Sequence, residues 1–431
     1  MSKAVVNVGI IGFGTVGSGT ARIILQNGAL IEKRTGKKII LKRIADLDIV
    51  RDRGVAVPPG VLTTDAYEII NDPSIDVVVE LVGGIQPAKK FMLDALKQGK
   101  HVVTANKALL ATKGHEIFKE AEAQGKSVGF EAAVAGGIPI IKVMREGLVA
   151  NNILSIYGII NGTSNYILTR MTREGAPFEK VLEDAQDLGY AENDPTWDIE
   201  GIDTAHKLTL LASLSYGIPL SFDRIYKEGI TAITPEDIAY ASELGYKIKL
   251  LAIAKVVNSE IELRVHPTML PEDSLISKVD DVLNAVYVIG DAVGETMYYG
   301  RGAGDMPTGS AVVSDIIDIA SRGKGRCCSF LSAGPCGYTI KDSLDIETMY
   351  YFRFTVLDRP GVLSKISGVL GAHNISISAV IQKERREGEA VPLVVLTHRA
   401  KERDIVNAVK EIDTLPVIAA KTRFIRVEGK E

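Results

Sequence analysis

One segment of the sequence places a lysine and an aspartate where they could move a proton. Residues 185–207 carry six carboxylates and end at Lys207, with Asp203 four positions before it. Positions i and i+4 share one face of a helix, so these two side chains can pair. The surrounding residues 202–214 are largely apolar, which leaves such a helix little surface for solvent. A lysine held there needs a partner.

An ordinary surface ion pair is the alternative for Asp203 and Lys207. Burial and neighbouring carboxylates perturb the proton affinity of a lysine in opposite directions, and such opposed effects are commonest at functional sites. A hydride delivered to a carbonyl carbon also requires a group that handles the proton of the oxygen. The residue types therefore favour catalysis, with Lys207 as the proton-transfer group.

Near the N-terminus, a glycine-rich loop directly follows a strand predicted over residues 5–11. The loop consists of Gly12, Phe13, Gly14, Thr15, Val16 and Gly17. In this G-x-G-x-x-G spacing, the first glycine permits a tight turn and the second lets a pyrophosphate approach the backbone. The third lets helix and strand pack closely. A glycine turn without a ligand is the alternative, but the strand before the loop and the helix after it favour a dinucleotide.

The end of the second predicted strand bears on which dinucleotide binds. Asp46 follows Ala45 there, about 30 residues past the glycines where ~20 is usual. The carboxylate could accept a hydrogen bond from the ribose of NAD, whereas Arg43, Arg51 and Arg53 could neutralise the 2′-phosphate of NADP. The sequence therefore predicts NAD or NADP and leaves the choice open.

A fourth predicted strand ends at Thr104, and Lys107 follows it closely. In an open α/β sheet, ligands bind in the crevice beyond the carboxyl ends of the strands. A solvated surface lysine is the alternative, because most lysines are exposed. Its position at the strand end makes Lys107 a candidate for contact with substrate.

Composition, charge and cysteine count narrow the class of function. The formal net charge of −4 gives no general attraction to nucleic acid or to anionic membranes. No apolar run approaches the ~20 residues that span a bilayer, and the N-terminus does not resemble a signal peptide. Cys327, Cys328 and Cys336 are too few for a disulfide framework, and the histidines show no zinc-like spacing. We expect a cytoplasmic protein with neither nucleic acid nor membrane as partner.

Hydropathy patterns predict an α/β protein of three domains. Alternating strands and helices, among them a helix over residues 18–26, indicate a Rossmann-type doubly wound domain to which a helix over residues 312–322 returns. The C-terminal pattern is the βαββαβ order of a ferredoxin-like domain. The predicted ranges are residues 1–130 with about 300–325 for the Rossmann domain, 131–299 for an α+β catalytic and dimerisation domain, 326–345 for a linker, and 346–431 for the ferredoxin-like domain.

Residues 185–207 resemble the signature of homoserine dehydrogenases. The pattern Ala-x3-Gly-aromatic-x3-Asp-Pro-x2-Asp-x2-Gly-x-Asp-x3-Lys matches at every fixed position. Further pieces similar to that family lie in order at residues 12–17, 104–107, 131–139, 161–166 and 300–304. The resemblance implies NAD(P)-dependent interconversion of L-homoserine and L-aspartate 4-semialdehyde, on the path to threonine, isoleucine and methionine.

The same resemblance implies roles for single residues. Lys207 would donate the proton to the aldehyde oxygen, Asp203 would orient Lys207 or that oxygen, and Lys107 would lie close to nicotinamide and substrate. Glu192 and Asp198 would bind the homoserine ammonium. The residues that help line the pocket would be Gly162, Thr163 and Tyr190. Besides the glycine loop, the cofactor would contact Ala45, Asp46, Thr104, Lys107 and Gly304.

A structural monovalent cation, expected to be sodium, is implied as well. Its ligands, mostly backbone carbonyl oxygens, would belong to Glu131, Val134, Gly136 and Ile138. A tight glycine turn is the alternative for this loop. The family also implies a homodimer or a homotetramer.

The C-terminal domain resembles ACT domains, which often bind amino acids. Asp358, Gly361 and Val362 close a strand and open a helix, and Asn374 precedes the next strand. Gly361 permits close approach of a ligand to the backbone at a helix start. We expect these four residues to bind an effector, L-threonine, that inhibits the enzyme. A dimerisation domain that binds nothing is the alternative, since a fold does not establish a function.

Two other classes of function fit parts of the sequence. A non-enzymatic nucleotide-binding sensor would keep the glycine loop but would not need Glu192, Asp203 and Lys207 together. An acylating aldehyde dehydrogenase would need a nucleophilic cysteine. All three cysteines instead fall in or near the predicted linker. A dehydrogenase that acts on an alcohol is therefore favoured.

Overall fold

The fold is described from a computed structural model, which covers residues 4–322, 337–383 and 389–429. The three cysteines and much of the predicted linker lie outside these residues. The described residues fall into two units. The first unit takes them from Met1–Gly162, Ile202–Ile225 and Val282–Tyr338, and the second unit from Thr163–Gly201, Tyr226–Asp281 and Thr339–Glu431.

Strands and helices alternate along the first part of the chain. The strands are β1 (Val5–Ile11), β2 (Lys38–Ala45), β3 (Leu62–Thr63), β4 (Val77–Glu80), β5 (His101–Thr104), β6 (Val128–Gly129), β7 (Ile153–Ile159), β8 (Tyr226–Lys227), β9 (Tyr246–Val257), β10 (Glu260–Pro271), β11 (Leu283–Gly290), β12 (Gly294–Arg301), β13 (Thr339–Ile340), β14 (Glu347–Leu357), β15 (Ile377–Ile381), β16 (Ala390–Thr397), β17 (Ala400–Lys401) and β18 (Ile418–Val427). The α-helices are α1 (Thr15–Thr35), α2 (Tyr67–Ile70), α3 (Gln86–Lys97), α4 (Lys107–Ala123), α5 (Ile140–Lys142), α6 (Gly162–Glu174), α7 (Phe178–Asp187), α8 (Thr196–Ile199), α9 (Ile202–Tyr216), α10 (Pro235–Glu243), α11 (Asp305–Arg322), α12 (Val362–Ala372) and α13 (Glu402–Ile412). None of these described helices is long and apolar enough to cross a membrane.

A parallel sheet forms the core of the first unit. Its strand order is β3-β2-β1-β4-β5-β6, and all neighbouring pairs are parallel. Val8 and Ile10 in β1 are fully buried, as expected where helices cover both faces of a parallel sheet. This order is that of a dinucleotide-binding α/β domain, so the predicted doubly wound domain is confirmed.

Two helices of the first unit are longer than predicted. Helix α1 spans Thr15–Thr35 instead of residues 18–26, because the buried Ile31 continues its apolar face and Gly36, at φ 66°, ends it. Helix α11 begins at Asp305 and packs on α1 as the pattern predicted. The two helices touch at glycines: a Cβ on Gly19 would lie 2.2 Å from the Asp305 carbonyl oxygen, so only glycine fits there.

The first unit also carries an antiparallel group of strands and the helix that bears Lys207. Strand β11 pairs with β7 on one side and with β12 on the other. Helix α9 packs against α4, the helix that begins at Lys107. This packing brings the two lysine-bearing helices together.

The second unit joins a long hairpin to the C-terminal domain. Strands β9 and β10 pair over their full length, and β10 also pairs with β18 in parallel. The C-terminal strands follow in the order β18-β14-β16-β15, with α12 and α13 completing the predicted βαββαβ fold. The ferredoxin-like domain is thus confirmed, and its sheet is continuous with the hairpin.

Buried ion pairs reinforce this junction within the second unit. Arg426 on β18, which is almost fully buried, pairs with Glu402 and with Glu228, at 2.6 Å from the latter. Arg353 on β14 donates to Asp237 at 2.6 Å. Removing one partner of a buried pair leaves an uncompensated charge, which is strongly destabilising. The pairs with Glu228 and Asp237 join the C-terminal domain to segments next to the hairpin.

Candidate active site

Helix α9 places Asp203 and Lys207 on one face, as their spacing predicted. Lys207 Nζ donates to Asp203 Oδ2 at 2.6 Å and to the Ile160 carbonyl oxygen at 2.7 Å. The Lys207 side chain is 14% exposed and that of Asp203 7% exposed. The aspartate is therefore buried, and the lysine side chain is only slightly more exposed.

The buried Asp203 carboxylate is shared by several donors. Lys107 Nζ lies 3.2 Å from its Oδ1, and the Asn161 amide donates to its Oδ2 at 3.0 Å. Burial alone would raise the pKa of the Asp203 carboxyl, but the charges of Lys207 and Lys107 and the hydrogen bonds hold that pKa well below its usual range. Asp203 therefore stays ionised as the permanent counter-charge of two lysines.

This cluster is suited to a reaction that develops negative charge on oxygen. Two ammonium groups meet one carboxylate, which leaves an excess positive charge beside Lys207 and Lys107. Preorganised donors aimed at a developing oxyanion are often the largest catalytic contribution of an enzyme. Among the described residues, no group of three or more His, Cys, Asp or Glu side chains could hold a metal ion.

The glycine loop has the geometry that a pyrophosphate needs. Gly12 has φ 104°, and a Cβ there would lie 2.6 Å from the Leu81 backbone. A Cβ on Gly17 would lie 2.1 Å from the Gly12 carbonyl oxygen, which shows how closely helix and loop pack. The space around Gly14, at the N-terminus of α1, is open. Gly12 thus makes the tight turn and Gly17 the close packing that the spacing predicts, while no atom crowds Gly14.

Asp46, after the end of β2, braces the glycine loop. Its Oδ2 accepts the Phe13 backbone N–H and its Oδ1 accepts the Asp48 N–H at 2.9 Å, while the Ala45 carbonyl accepts Gly12 N–H at 2.8 Å. Arg53 Nη2 lies 3.8 Å from Asp46 Oδ1. An arginine therefore stands beside the acidic residue expected to meet the ribose.

The three candidate arginines differ in their surroundings. Arg43 pairs with Glu68 at 2.6 Å, and Arg51 is exposed. Arg53 is mostly buried, and its Nε has no hydrogen-bond partner among the described residues. A buried guanidinium with an unsatisfied donor suits a phosphate.

Thr104, the last residue of β5, belongs to a buried polar network. Its hydroxyl donates to Glu80 Oε2 at 2.7 Å and accepts the Asn106 backbone N–H at 3.0 Å. The Asn106 side chain accepts the Leu109 N–H at 3.1 Å and so caps α4. The network lies at the carboxyl ends of β4 and β5, where Lys107 begins its helix.

The loop expected to hold a cation makes a tight turn in the first unit. Ala135 and Gly136 both have positive φ, 54° and 52°. The Glu131 carboxylate accepts two backbone N–H groups at the start of α5, at 2.8 and 2.9 Å. The carbonyl oxygens of Val134 and Gly136 accept no hydrogen bond from the described residues, as cation ligands should, and the Ile138 carbonyl accepts only the Ile140 N–H.

A buried carboxylate on α11 supports this turn. Asp315 accepts the Glu131 backbone N–H at 2.8 Å. Burial, together with the Glu131 charge, raises the pKa of Asp315 to about 8, and burial raises the pKa of Glu131 to about 7. Gly304 has φ 151° just before α11 begins.

The residues expected to bind the substrate ammonium, Glu192 and Asp198, lie in the second unit, as do the expected pocket residues Thr163 and Tyr190, whereas Gly162 belongs to the first unit. Thr163 donates its hydroxyl to the Tyr190 carbonyl at 2.8 Å, and the rings of Tyr190 and Tyr166 lie 4.8 Å apart. The Asp198 carbonyl accepts the Ser164 hydroxyl at 2.9 Å. These contacts hold the 190–198 segment on the start of α6. Glu192 is exposed and Asp198 half-buried.

The predicted effector residues flank α12, with Asp358, Gly361 and Val362 at its start and Asn374 after its end. Gly361 has φ 87° and precedes the helix, and Asn374 has φ 59° just after it. The Asp358 backbone N–H donates to the Glu389 carbonyl at 2.9 Å. The Val362 side chain lies in the hydrophobic core of the domain, so only its backbone is suited to meet an effector.

Comparison with known proteins decides the family. Family models described as homoserine dehydrogenase NAD-binding domain, homoserine dehydrogenase and ACT domain match residues 12–131, 139–317 and 350–417. A homoserine dehydrogenase of Neisseria gonorrhoeae is 47% identical to this chain, over 98% of this chain and 99% of its own. One of Pseudomonas aeruginosa is also 47% identical, over the same shares. The chain belongs to the homoserine dehydrogenase family.

Solved structures of homoserine dehydrogenases share the fold. That from Thiobacillus denitrificans is 47% identical and has a TM-score of 0.92 over 98% of both chains. A hyperthermophilic archaeal homoserine dehydrogenase in complex with NADPH is 28% identical, with a TM-score of 0.61 over 73% of this chain and 97% of its own. This family member is therefore an NAD(P)-dependent oxidoreductase with an NAD-binding domain, a catalytic domain and a C-terminal ACT domain.

Several residues in and around this site were not predicted from the sequence. Asn161 and the Ile160 carbonyl follow β7 and bind the Asp203–Lys207 pair from more than 40 positions away. Glu80 and Asp315 are buried carboxylates in segments that otherwise read as apolar. A carboxylate inside an apolar strand or helix is the one signal that could have pointed to these last two.

Proposed function

We propose that this chain catalyses the reversible hydride transfer between L-aspartate 4-semialdehyde and L-homoserine, on the path to threonine, isoleucine and methionine. The observation that carries the proposal is the buried Asp203 carboxylate bonded to both Lys207 and Lys107, in a chain of this family. Such a cluster suits an aldehyde oxygen that gains charge and then a proton.

Lys207 acts as the proton donor in the direction of reduction. The glycine loop would hold the dinucleotide, whose nicotinamide would supply the hydride for the aldehyde carbon. Lys207 gives its proton to the aldehyde oxygen as that oxygen gains charge, and water then returns a proton to the amine. In the direction of oxidation the neutral amine takes the hydroxyl proton.

Asp203 and Lys107 prepare this transfer. Asp203 keeps its charge through the cycle, because its pKa lies well below the usual range, and so it orients Lys207 without competing for the proton. Lys107, whose side chain is 38% exposed, presents a second cation to nicotinamide and substrate. Its charge favours the oxyanion-like state.

In the second unit, Glu192 and Asp198 are the proposed ligands of the substrate ammonium. Glu192 is exposed, so its carboxylate is open to a cationic ligand. Gly162, Thr163 and Tyr190 are the proposed pocket-lining residues. A hydrogen bond to a charged group contributes about 1.5–3 kcal/mol, so Glu192→Gln should raise the KM for homoserine about tenfold and change kcat little. Steady-state assays check this, and an unchanged KM would remove Glu192 from the site.

The substrate is tested by supplying L-aspartate 4-semialdehyde with NADPH and, separately, with NADH. We expect consumption of the reduced nicotinamide and formation of homoserine, identified by mass spectrometry. The matched comparison is succinate semialdehyde, which lacks only the amino group. Equal turnover of both aldehydes would contradict the proposed recognition of the ammonium.

For the cofactor, we propose that Arg53 binds the 2′-phosphate of NADP and that Asp46 meets the ribose of NAD. The unsatisfied Arg53 Nε supports this, as does its place beside Asp46. Arg53→Ala should raise the KM for NADP about tenfold, because one charged hydrogen bond is lost. The KM for NAD should stay nearly unchanged. Arg43→Ala is the matched control, because Arg43 pairs with Glu68. Equal effects of the two variants would contradict the role of Arg53.

We also propose that the 131–138 turn binds a monovalent cation, sodium, through the carbonyl oxygens of Glu131, Val134, Gly136 and Ile138. The free carbonyls of Val134 and Gly136 support this. A cation that binds only the folded chain raises its stability. We expect a higher Tm in sodium chloride than in choline chloride at equal ionic strength, whereas equal Tm values would argue against a cation.

We propose that the ACT domain binds L-threonine at Asp358, Gly361, Val362 and Asn374, and that this binding inhibits the enzyme. We also propose that the chain forms a homodimer or a homotetramer. Because β18 pairs with β10, removing the C-terminal domain would also remove a neighbouring strand from the sheet. A point variant of the full chain is therefore the sharper test. Asn374→Ala should raise the threonine concentration for half-inhibition while uninhibited kcat stays the same. An unchanged threonine response would contradict this placement, and ultracentrifugation gives the oligomeric state.

A further inference from the structure

Glu80 is a fully buried carboxyl group to which the proposed reaction gives no role. It is the last residue of β4, and its exposure is 0%. Burial raises the pKa of the Glu80 carboxyl, and hydrogen bonds from Thr104 and Val82 oppose that rise. Because a buried carboxyl group is costly, a specific set of contacts must compensate for it.

The two oxygens of Glu80 bind two different segments of the first unit. Oε1 accepts the Val82 backbone N–H at 2.9 Å, and Oε2 accepts the Thr104 hydroxyl at 2.7 Å. Val82 lies on the loop after β4 and Thr104 ends the neighbouring strand β5. One carboxyl group therefore fixes the carboxyl ends of two adjacent strands.

The first of these segments supports the glycine loop. Gly12 packs so closely on the Leu81–Val82 peptide that a Cβ there would lie 2.6 Å from the Leu81 carbonyl carbon and 2.9 Å from Val82 N. The N–H of that peptide is the one that Glu80 holds. If this peptide shifted, the turn of the glycine loop at Gly12 would have to shift as well.

The second segment supports Lys107. The Thr104 hydroxyl that donates to Glu80 accepts the Asn106 N–H, and Asn106 caps α4 while its amide donates to the Gly84 carbonyl at 2.6 Å. Lys107 is the first residue of α4, and its ammonium lies 3.2 Å from Asp203 Oδ1. A continuous set of hydrogen bonds thus runs from Glu80 to the start of the Lys107 helix.

We propose that Glu80 is a positioning residue for hydride transfer. It holds the Leu81–Val82 peptide, on which the glycine loop packs, and the start of the Lys107 helix in one fixed arrangement. The inference rests on the proposed function. Because both segments meet at one side chain, the turn that would hold the cofactor and the start of the Lys107 helix are fixed relative to each other. A misplacement of about 1 Å can cost about 10²-fold in rate, so even a small relaxation should be measurable.

Four single variants test this in the full-length enzyme. Glu80→Gln keeps the shape but turns one amide donor toward the Val82 N–H or the Thr104 hydroxyl, and Thr104→Val removes the hydroxyl. Both should lower kcat for homoserine oxidation about tenfold or more, with active sites counted by NADPH fluorescence titration. Thr104→Ser restores the hydroxyl and should recover most of kcat. Glu68→Gln, at an exposed pair, is the control and should leave kcat unchanged.

The route through Lys107 is tested by a double-mutant cycle. If Glu80 acts by placing Lys107, Glu80→Gln should have a smaller effect on kcat in a Lys107→Ala background than in the wild type. A purely structural role would lower Tm but leave kcat per active site unchanged in Glu80→Gln, and that result would overturn the proposal. Fully additive losses would overturn the route through Lys107. If the wild type does not oxidise homoserine at all, the proposed function fails instead.

Discussion

Replacing Lys207 with alanine should lower kcat for homoserine oxidation by about 10²–10⁴-fold, the usual contribution of a general acid or base. The variant loses a group that is bonded to both Asp203 and the Ile160 carbonyl, and with it the proposed donor for the substrate oxygen. The glycine loop lies on other elements, so the Kd for NADPH, measured by fluorescence, should stay near that of the wild type.

The chain offers a matched control for this variant. Lys180 also pairs with an aspartate four positions away, Asp184 at 2.7 Å, but its side chain is 58% exposed on α7. An exposed pair contributes little to stability. Lys180→Ala should therefore leave kcat unchanged, whereas similar kcat values for Lys207→Ala and the wild type would contradict the role of Lys207.

Replacing Asp203 with asparagine should give the second large effect. The amide has the shape of the carboxylate but no charge, so two ammonium groups lose their shared counter-charge. Removing one partner of a buried pair costs about 3–5 kcal/mol, and the partial exposure of Lys107 and Lys207 places our expectation near the lower end, about 3 kcal/mol of unfolding free energy. We expect kcat to fall by about 10²-fold as Lys207 loses its orientation.

Asp184→Asn is the matched control for the aspartate. Its loss should change the unfolding free energy by less than about 1 kcal/mol, because the Lys180–Asp184 pair is exposed. Denaturant unfolding and steady-state kinetics measure both effects. If Asp203→Asn were as stable and as active as the wild type, the shared carboxylate would have no function.

Local patterns predicted those parts of the site that lie on single elements. The spacing of Asp203 and Lys207 predicted their pairing on α9, and the three glycines predicted the turn at Gly12 and the close packing at Gly17. Each of these depends on residues a few positions apart, where helix or turn geometry fixes the distance. The substrate assignment, in contrast, rested on resemblance.

Contacts between distant segments could not be predicted in this way. Asn161 meets Asp203 across 42 positions, and Thr104 meets Glu80 across 24. Which strand ends become neighbours depends on sheet order, here β1-β4-β5, and hydropathy does not determine that order. The contacts of Asn161 with Asp203 and of Thr104 with Glu80 were therefore found only in the structure.

The C-terminal region shows the same division. The βαββαβ order followed from the sequence, because each element has its own period of apolar residues. The parallel pairing of β18 with β10 could not be predicted, because a pairing of only two residues on each strand leaves no periodic signal in the sequence. That pairing makes the ACT domain part of a larger sheet.

The most direct test of the proposed activity is to mix the purified chain with L-homoserine and NAD or NADP and to follow the absorbance of the reduced nicotinamide. We predict homoserine-dependent reduction of at least one cofactor by the wild type and almost none by Lys207→Ala at the same active-site concentration. Failure of the wild type to reduce either cofactor, or equal rates for the two proteins, would contradict a homoserine oxidation that depends on Lys207.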